Sequence, residues 1–181
     1  MKILDNINHT VREDLQDTMQ KGSRVSIAAA CFSIYAYQEL KKQLEEIAEL
    51  RFIFTSPTFV QENTPKERRE FYIPKLTREK SLYGTEFEVR LRNELTQKAL
   101  AKECADWVRR KVKFRSNVSG EQMPGFMTVG ESSYMPISGF TTVDLGCERG
   151  NNAYYPVQRT EAFENGRYFL SLFDEIWNDS S

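Results

Sequence analysis

Apolar positions along the chain switch between helical and extended spacing, and the switching predicts an α/β fold. Leu4, Ile7, Val11, Leu15 and Met19 recur at three- and four-residue steps. That spacing lines one face and predicts an amphipathic helix over 3–21, with Gly22 in the usual place for a C-terminal glycine. The run Val25-Ser-Ile-Ala-Ala-Ala-Cys-Phe32 is small and apolar almost throughout, the composition of a strand buried on both faces. A second helix is predicted over 35–48, with Tyr37, Leu40, Leu44 and Ile47 inward, followed by a strand over 50–55. Helix, strand, helix and strand at these lengths make an α/β unit with a right-handed crossover.

Residues 56–83 break the rhythm. Pro57, Pro65 and Pro74 fall there among many charges, yet Phe59, Phe71, Tyr72 and Ile73 call for burial. The segment therefore reads as a long, partly ordered excursion. Helical spacing returns with Leu91, Leu95, Ala99, Leu100, Cys104 and Trp107, predicting a helix over 90–110 and then a strand over 111–116. Two extended runs, 125–130 and 134–140, flank a polar Glu-Ser-Ser tip and suggest a hairpin. A last helix over 161–177 packs through Phe169, Leu172, Phe173 and Ile176. The expectation is one domain spanning 1–181, a mixed β-sheet flanked by α-helices, with the 24–32 strand central.

Composition narrows the partners more than the fold. The chain has 181 residues, 40% of them hydrophobic, and a formal net charge of -1. A near-neutral chain has no global attraction to nucleic acid or membrane, so such binding needs a local patch. No apolar run approaches the roughly 20 residues of a membrane span, and the start MKILDNINHT is too polar for a signal peptide. A cytoplasmic protein with no membrane partner is expected. Cys31, Cys104 and Cys147 form neither a CxxC pair nor a disulfide framework. They are read as reduced, mostly buried thiols.

Catalytic signatures are missing. The later glycines, from Gly120 to Gly150, are scattered without the strand–loop–helix grammar of a phosphate-binding loop. A single histidine, His9, excludes His-Glu-x-x-His, and it is expected in the first turn of the first helix as a surface or capping residue. No metal site and no cofactor are predicted. One electrostatic feature stands out: Arg109, Arg110, Lys111, Lys113 and Arg115 put five cations in seven residues with no acid nearby. On a strand, Lys111, Lys113 and Arg115 would share one face while Val112 and Phe114 enter the core. Such a cluster, with the basic loop 66–80, suits a DNA phosphate backbone; equally, lysines on an edge strand block unwanted pairing.

The run Val11-Arg-Glu-Asp-Leu15, the strand 25–32 and the stretch 50–57 resemble the phospholipase-D-like domain at the head of large bacterial superfamily II (Swi/Snf-like) helicases. So do Tyr83-Gly-Thr-Glu-Phe-Glu88, Asn93-Glu-Leu-Thr-Gln97 and Ala101-Lys-Glu-Cys-Ala-Asp-Trp107. The resemblance implies a phospholipase-D-like half. Active members carry His-x-Lys-x4-Asp and then Gly-Ser-x-Asn, the histidine attacking phosphorus and the lysine and asparagine holding phosphate oxygens. In Gln122-Met-Pro-Gly-Phe-Met127, Met123 stands where the histidine would be and Gly125 where the lysine would be. In Pro136-Ile-Ser-Gly-Phe-Thr141, Gly139 takes the place of the asparagine. A thioether forms no phosphohistidine and a glycine supplies no cation to a phosphoryl transition state, so the resemblance implies a degenerate copy.

Two readings follow. In the first, the chain is a non-catalytic accessory domain that contacts DNA or a partner, with the ATP-dependent helicase domain downstream in the same chain as its neighbour. In the second, it is a stand-alone phosphodiesterase or nuclease-like enzyme with its site elsewhere. Because phospholipase-D folds pair two similar halves, the resemblance also raises a homodimer.

Overall fold

The computed structural model describes residues 1–55, 94–117, 122–149, 156–161 and 166–179. Among them are seven strands: β1 (Lys2–Leu4), β2 (Arg24–Ala29), β3 (Glu49–Phe54), β4 (Val112–Ser116), β5 (Phe126–Val129), β6 (Ser132–Met135) and β7 (Val157–Thr160). The helices are α1 (Val11–Thr18), α2 (Ile34–Glu39), α3 (Lys41–Glu46), α4 (Glu94–Lys111) and α5 (Gly166–Asn178). The strands form one mixed sheet in the order β1-β7-β6-β5-β2-β3-β4. β2, β3 and β4 run parallel, whereas β2 meets β5 antiparallel and β6, β7 and β1 continue antiparallel. The excursion expected over 56–83 lies outside the described residues.

Pleating sorts the core into two layers. Val25, Ile27 and Ala29 of β2, Leu50, Phe52 and Phe54 of β3, and Met127 and Val129 of β5 face α1, α2, α3 and α4 in the larger core. Ala28, Ile53 and Phe126 point the other way, where Phe173 joins them and Phe169, Leu172, Ile176 and Trp177 of α5 cover them. The 24–32 reading holds for 24–29: β2 is an interior strand, and Val25, Ile27, Ala28 and Ala29 are solvent-free. A helix on each side requires this, because a strand hidden on both faces must be apolar at successive positions.

The first helix is shorter than its spacing implied. Only 11–18 is helical; Leu4 belongs to β1 and Ile7 is 51% exposed. Asp5 is the reason, since its carboxylate accepts the backbone N–H groups of Ile7, Asn8 and His9. An acid that takes neighbouring amides offers the backbone an alternative to helix. Asn6 adopts φ 55, accepts from the Val11 N–H and donates to the Asp144 carbonyl. Thr10 and Glu13 then close a reciprocal capping box. His9 therefore precedes the helix rather than sitting in its first turn.

Other boundaries shift for local reasons. The helix expected over 35–48 divides at Leu40, which leaves helical dihedrals, while Tyr37, Leu40, Leu44 and Ile47 all stay buried. The hairpin tip is Gly130-Glu131 rather than Glu-Ser-Ser, because Val129 pairs Ser132 and Gly130 supplies φ 56. The second hairpin strand ends at Met135 instead of 140. Residue 111 closes α4, so Lys111 is not a strand residue. β1 and β7 have no counterpart in the sequence reading. Phe114 also departs from expectation: its ring packs on Phe52 and Phe54, but β4 is the last of the described strands on that side of the sheet and Phe114 is 36% exposed.

Trp107 ties α4 to the rest of the larger layer. It is fully buried, packs on Tyr37 at 4.9 Å and on Phe32 at 6.3 Å, and its Nε1 donates to the Leu44 carbonyl at 2.9 Å. Trp107→Ala should destabilise the domain by about 3–5 kcal/mol, read as a lower urea midpoint. Trp107→Phe should lose less, since it keeps most of the packing and orphans only one carbonyl.

Candidate functional site

The two segments compared with the phospholipase D motif, 122–127 and 136–141, meet backbone to backbone. The Ile137 N–H donates to the Gly125 carbonyl at 2.9 Å, just ahead of β5. A Cβ placed on Gly125 would lie 1.8 Å from the Ile137 oxygen and 3.4 Å from the Ala28 oxygen. Position 125 therefore has room for hydrogen alone, and a lysine there would require the two segments to separate. A Cβ on Gly139 would lie 2.6 Å from Cys31 Sγ and 3.0 Å from Asp144 Oδ2. Met123 is half-buried and packs with the Phe126 and Phe173 cluster under α5. The structure thus brings Met123, Gly125 and Gly139 into neighbouring segments, but in an environment of backbone and apolar side chains.

Beside them lies a small cleft bordered by Asp5, Asn6, Ile137, Asp144, Glu148 and Arg149, with a volume of about 20 Å³. That is room for one or two waters. His9 sits in the exposed loop before Thr10, on the element that the sequence reading already set apart from the motif. Cys104 is buried and its thiol is pushed up to about 12 by burial, so it is not a nucleophile at neutral pH. Among the described residues no three His, Cys, Asp or Glu side chains cluster as metal ligands, and no helix is long and apolar enough to cross a membrane.

The five cations do not stand without acids. Arg109 pairs with Asp106 at 2.7 Å, Arg110 with Glu45 at 3.1 Å and Lys113 with Glu49 at 3.6 Å. Lys111 donates to the Ile47 carbonyl at 2.7 Å. Arg115 lies over the Trp177 ring at 4.8 Å and donates to the Trp177 carbonyl, where it satisfies the C-terminal end of α5. Lys113 and Arg115 share the α5 face as expected, next to Arg51 and Ile53 of β3; Lys111, in the helix, is not part of that row. Asp106 stands three residues before Arg109, within reach along the helix, whereas Glu45 and Glu49 approach from a distant stretch of chain that the run itself does not show.

The strongest buried polar assembly is one that the sequence reading passed over. Asp14, with its side chain 2% exposed, receives hydrogen bonds from Lys2 Nζ at 2.6 Å, Tyr134 Oη at 2.9 Å and Arg159 Nη1 at 3.1 Å. Tyr134 Oη also lies 3.0 Å from Thr18 Oγ1, Arg159 bonds Glu161, and Glu161 accepts from Ser132 at 2.9 Å. One carboxylate thus joins α1 to β1, β6 and β7. Its signal was an acid at 14, next to Leu15 and one turn from Val11 on the face that the helix buries. Burial alone would raise the Asp14 pKa, but the Lys2 and Tyr134 hydrogen bonds and the Arg159 charge outweigh it and hold it below its ordinary value. Burial likewise raises the Tyr134 hydroxyl, so it stays a proton donor. With every member of the set occupied by another, the network acts as a fastener rather than as a reactive centre.

No protein-family model matches the chain, and no curated protein sequence matches it.

Asp14→Asn removes the charge that two cations and a tyrosine converge on, and should lower stability by about 3 kcal/mol at neutral pH. The native carboxyl pKa is depressed, so this contribution is complete above the ordinary value of 3.8 and is lost as pH falls through the lower native one. Denaturant melts of both proteins should therefore differ by a constant amount from pH 8 to pH 5 and converge below about pH 4.

Proposed function

We propose that this chain is a non-catalytic phospholipase-D-like accessory domain of a larger DNA helicase, serving to dock a partner. The observation that carries the non-catalytic part is the contact at Gly125. The resemblance puts the phosphate-holding lysine at a position where the Ile137 carbonyl leaves space for no side chain. Met123 at the nucleophile position and Gly139 at the asparagine position point the same way. Docking is favoured over DNA binding because Arg109, Arg110 and Lys111 already hold close intramolecular partners, which leaves only Lys113, whose bridge to Glu49 is long, and the spare donors of Arg115 for an outside group. A phosphate backbone would have to compete with those partners, so its contacts release fewer counterions than five free cations would.

Purified protein should show no turnover of bis-p-nitrophenyl phosphate or of single- or double-stranded DNA, with or without divalent metals. Turnover that follows the protein through the His9→Ala control would overturn this reading and favour the stand-alone phosphodiesterase instead. Labelled duplex should bind weakly at low salt, and the anisotropy change should vanish by physiological salt. The triple Lys111, Lys113 and Arg115 to Ala variant is a poor probe of that binding, since Lys111 and Arg115 hold Ile47 and Trp177.

A further inference from the structure

We propose that the edge of β4 which no other described strand pairs is a docking strand for an extended segment of a partner protein in which acidic and apolar residues alternate. The inference rests on the docking reading above and names the chemistry of the partner. Among the described strands β4 pairs with β3 alone, which leaves it at the end of the sheet. The Asn117 N–H donates to the Phe54 carbonyl, toward β3. Backbone groups alternate in direction along a strand, so Lys113 and Arg115 also face β3 and Phe114 turns its N–H and C=O outward. An edge of this kind accepts another chain by main-chain hydrogen bonds.

The side chains of β4 define what that chain must carry. Phe114 stands 36% exposed on the core face, beside Phe54 at 5.6 Å, and an apolar residue opposite it would complete the layer. Lys113 and Arg115 project from the other face, the Lys113 side chain being 70% exposed. Its bridge to Glu49 is long and solvated, and bridges of that sort contribute little. Arg115 spends one donor on Trp177, and a guanidinium has five. Acids opposite both residues would gain cross-strand pairs.

The same row disfavours a second copy. Antiparallel strands in one sheet oppose residues of the same face, so a two-fold pairing centred on Phe114 sets Lys113 against Arg115. Centring it on Lys113 sets Lys113 against Lys113, and centring it on Arg115 sets Arg115 against Arg115. Like charges directly opposite are destabilising. Nucleic acid is the poorer match as well, because Phe114 lies on the face opposite Lys113 and Arg115, so a base stacked on its ring would not stand beside the cations that hold its phosphates.

The test is an amide NMR titration of the 181-residue chain with two end-blocked nonapeptides, one alternating Glu and Val and the other Lys and Val. The Glu/Val peptide should shift the amides of Lys113, Phe114 and Arg115 saturably and bind about tenfold more tightly than the Lys/Val peptide. Lys113→Glu, at a solvated position that leaves the core intact, should narrow that preference to about threefold or less. The proposal is overturned by unmoved β4 amides at millimolar peptide, by equal response to both peptides, or by duplex DNA shifting the same amides more strongly at physiological salt. Absence of phosphodiesterase activity is measured separately, so the failure of this edge and the failure of the non-catalytic reading are distinguishable.

Discussion

β2 has no face to give to water, and the rest of the domain is arranged around that fact. Its residues from Val25 to Ala29 are buried, with β3 along one edge and β5 along the other. Each face must then be covered by a separate layer: α1 to α4 on one side, α5 on the other. The two layers are unequal. The larger holds most of the aromatic rings, with Phe32, Phe52, Tyr37 and Trp107 in mutual contact, while the smaller depends on one helix. Two arginines brace that helix, Arg51 and Arg115 both lying over Trp177. Aromatic–cation contacts near a helix end combine ring attraction with relief of orphan carbonyls.

Backbone proximity has a chemical consequence at the end of β2. Ala30 donates to Ser138, Phe140 donates to Cys31 and Ser33 donates to Phe140, each at 2.9 Å, while Ile137 donates to Gly125. These bonds pull residues 136–140 against β2 and the start of β5. The glycines at 125 and 139 allow that approach. A site built to hold phosphate needs side-chain cations and donors aimed into a space, and here the space is used for main-chain contact. The same economy governs the basic run from Arg109 to Arg115, whose charges are taken up by acids, carbonyls and an indole of the same chain.

How far these features can be read along the chain depends on whether their cause is local. The apolar run of β2, the stripe of α4 that includes Leu100, Cys104 and Trp107, and the α5 stripe were legible because a face buried by neighbours imposes its own period on the sequence. The capping pair Thr10 and Glu13 was present too, but the earlier apolar positions Leu4 and Ile7 mimicked a longer helix. β1 and β7, three and four residues long, are held by each other and by Asp14, and segments that short carry no period.

The sequence by itself determined the alternation of elements, the doubly buried strand, the lack of a charged or ionisable side chain at Met123, Gly125 and Gly139, and the direction in which Lys113 and Arg115 project. Those follow from residue identity and from periods of two and 3.6. Tertiary structure alone decided that Glu45 and Glu49 answer the basic run, that Asp14 gathers Lys2, Tyr134 and Arg159, that β4 ends the described sheet, and that the Ile137 carbonyl stands against Gly125. Each of these pairs residues far apart in the chain, and no local pattern records a contact whose partner arrives from another element.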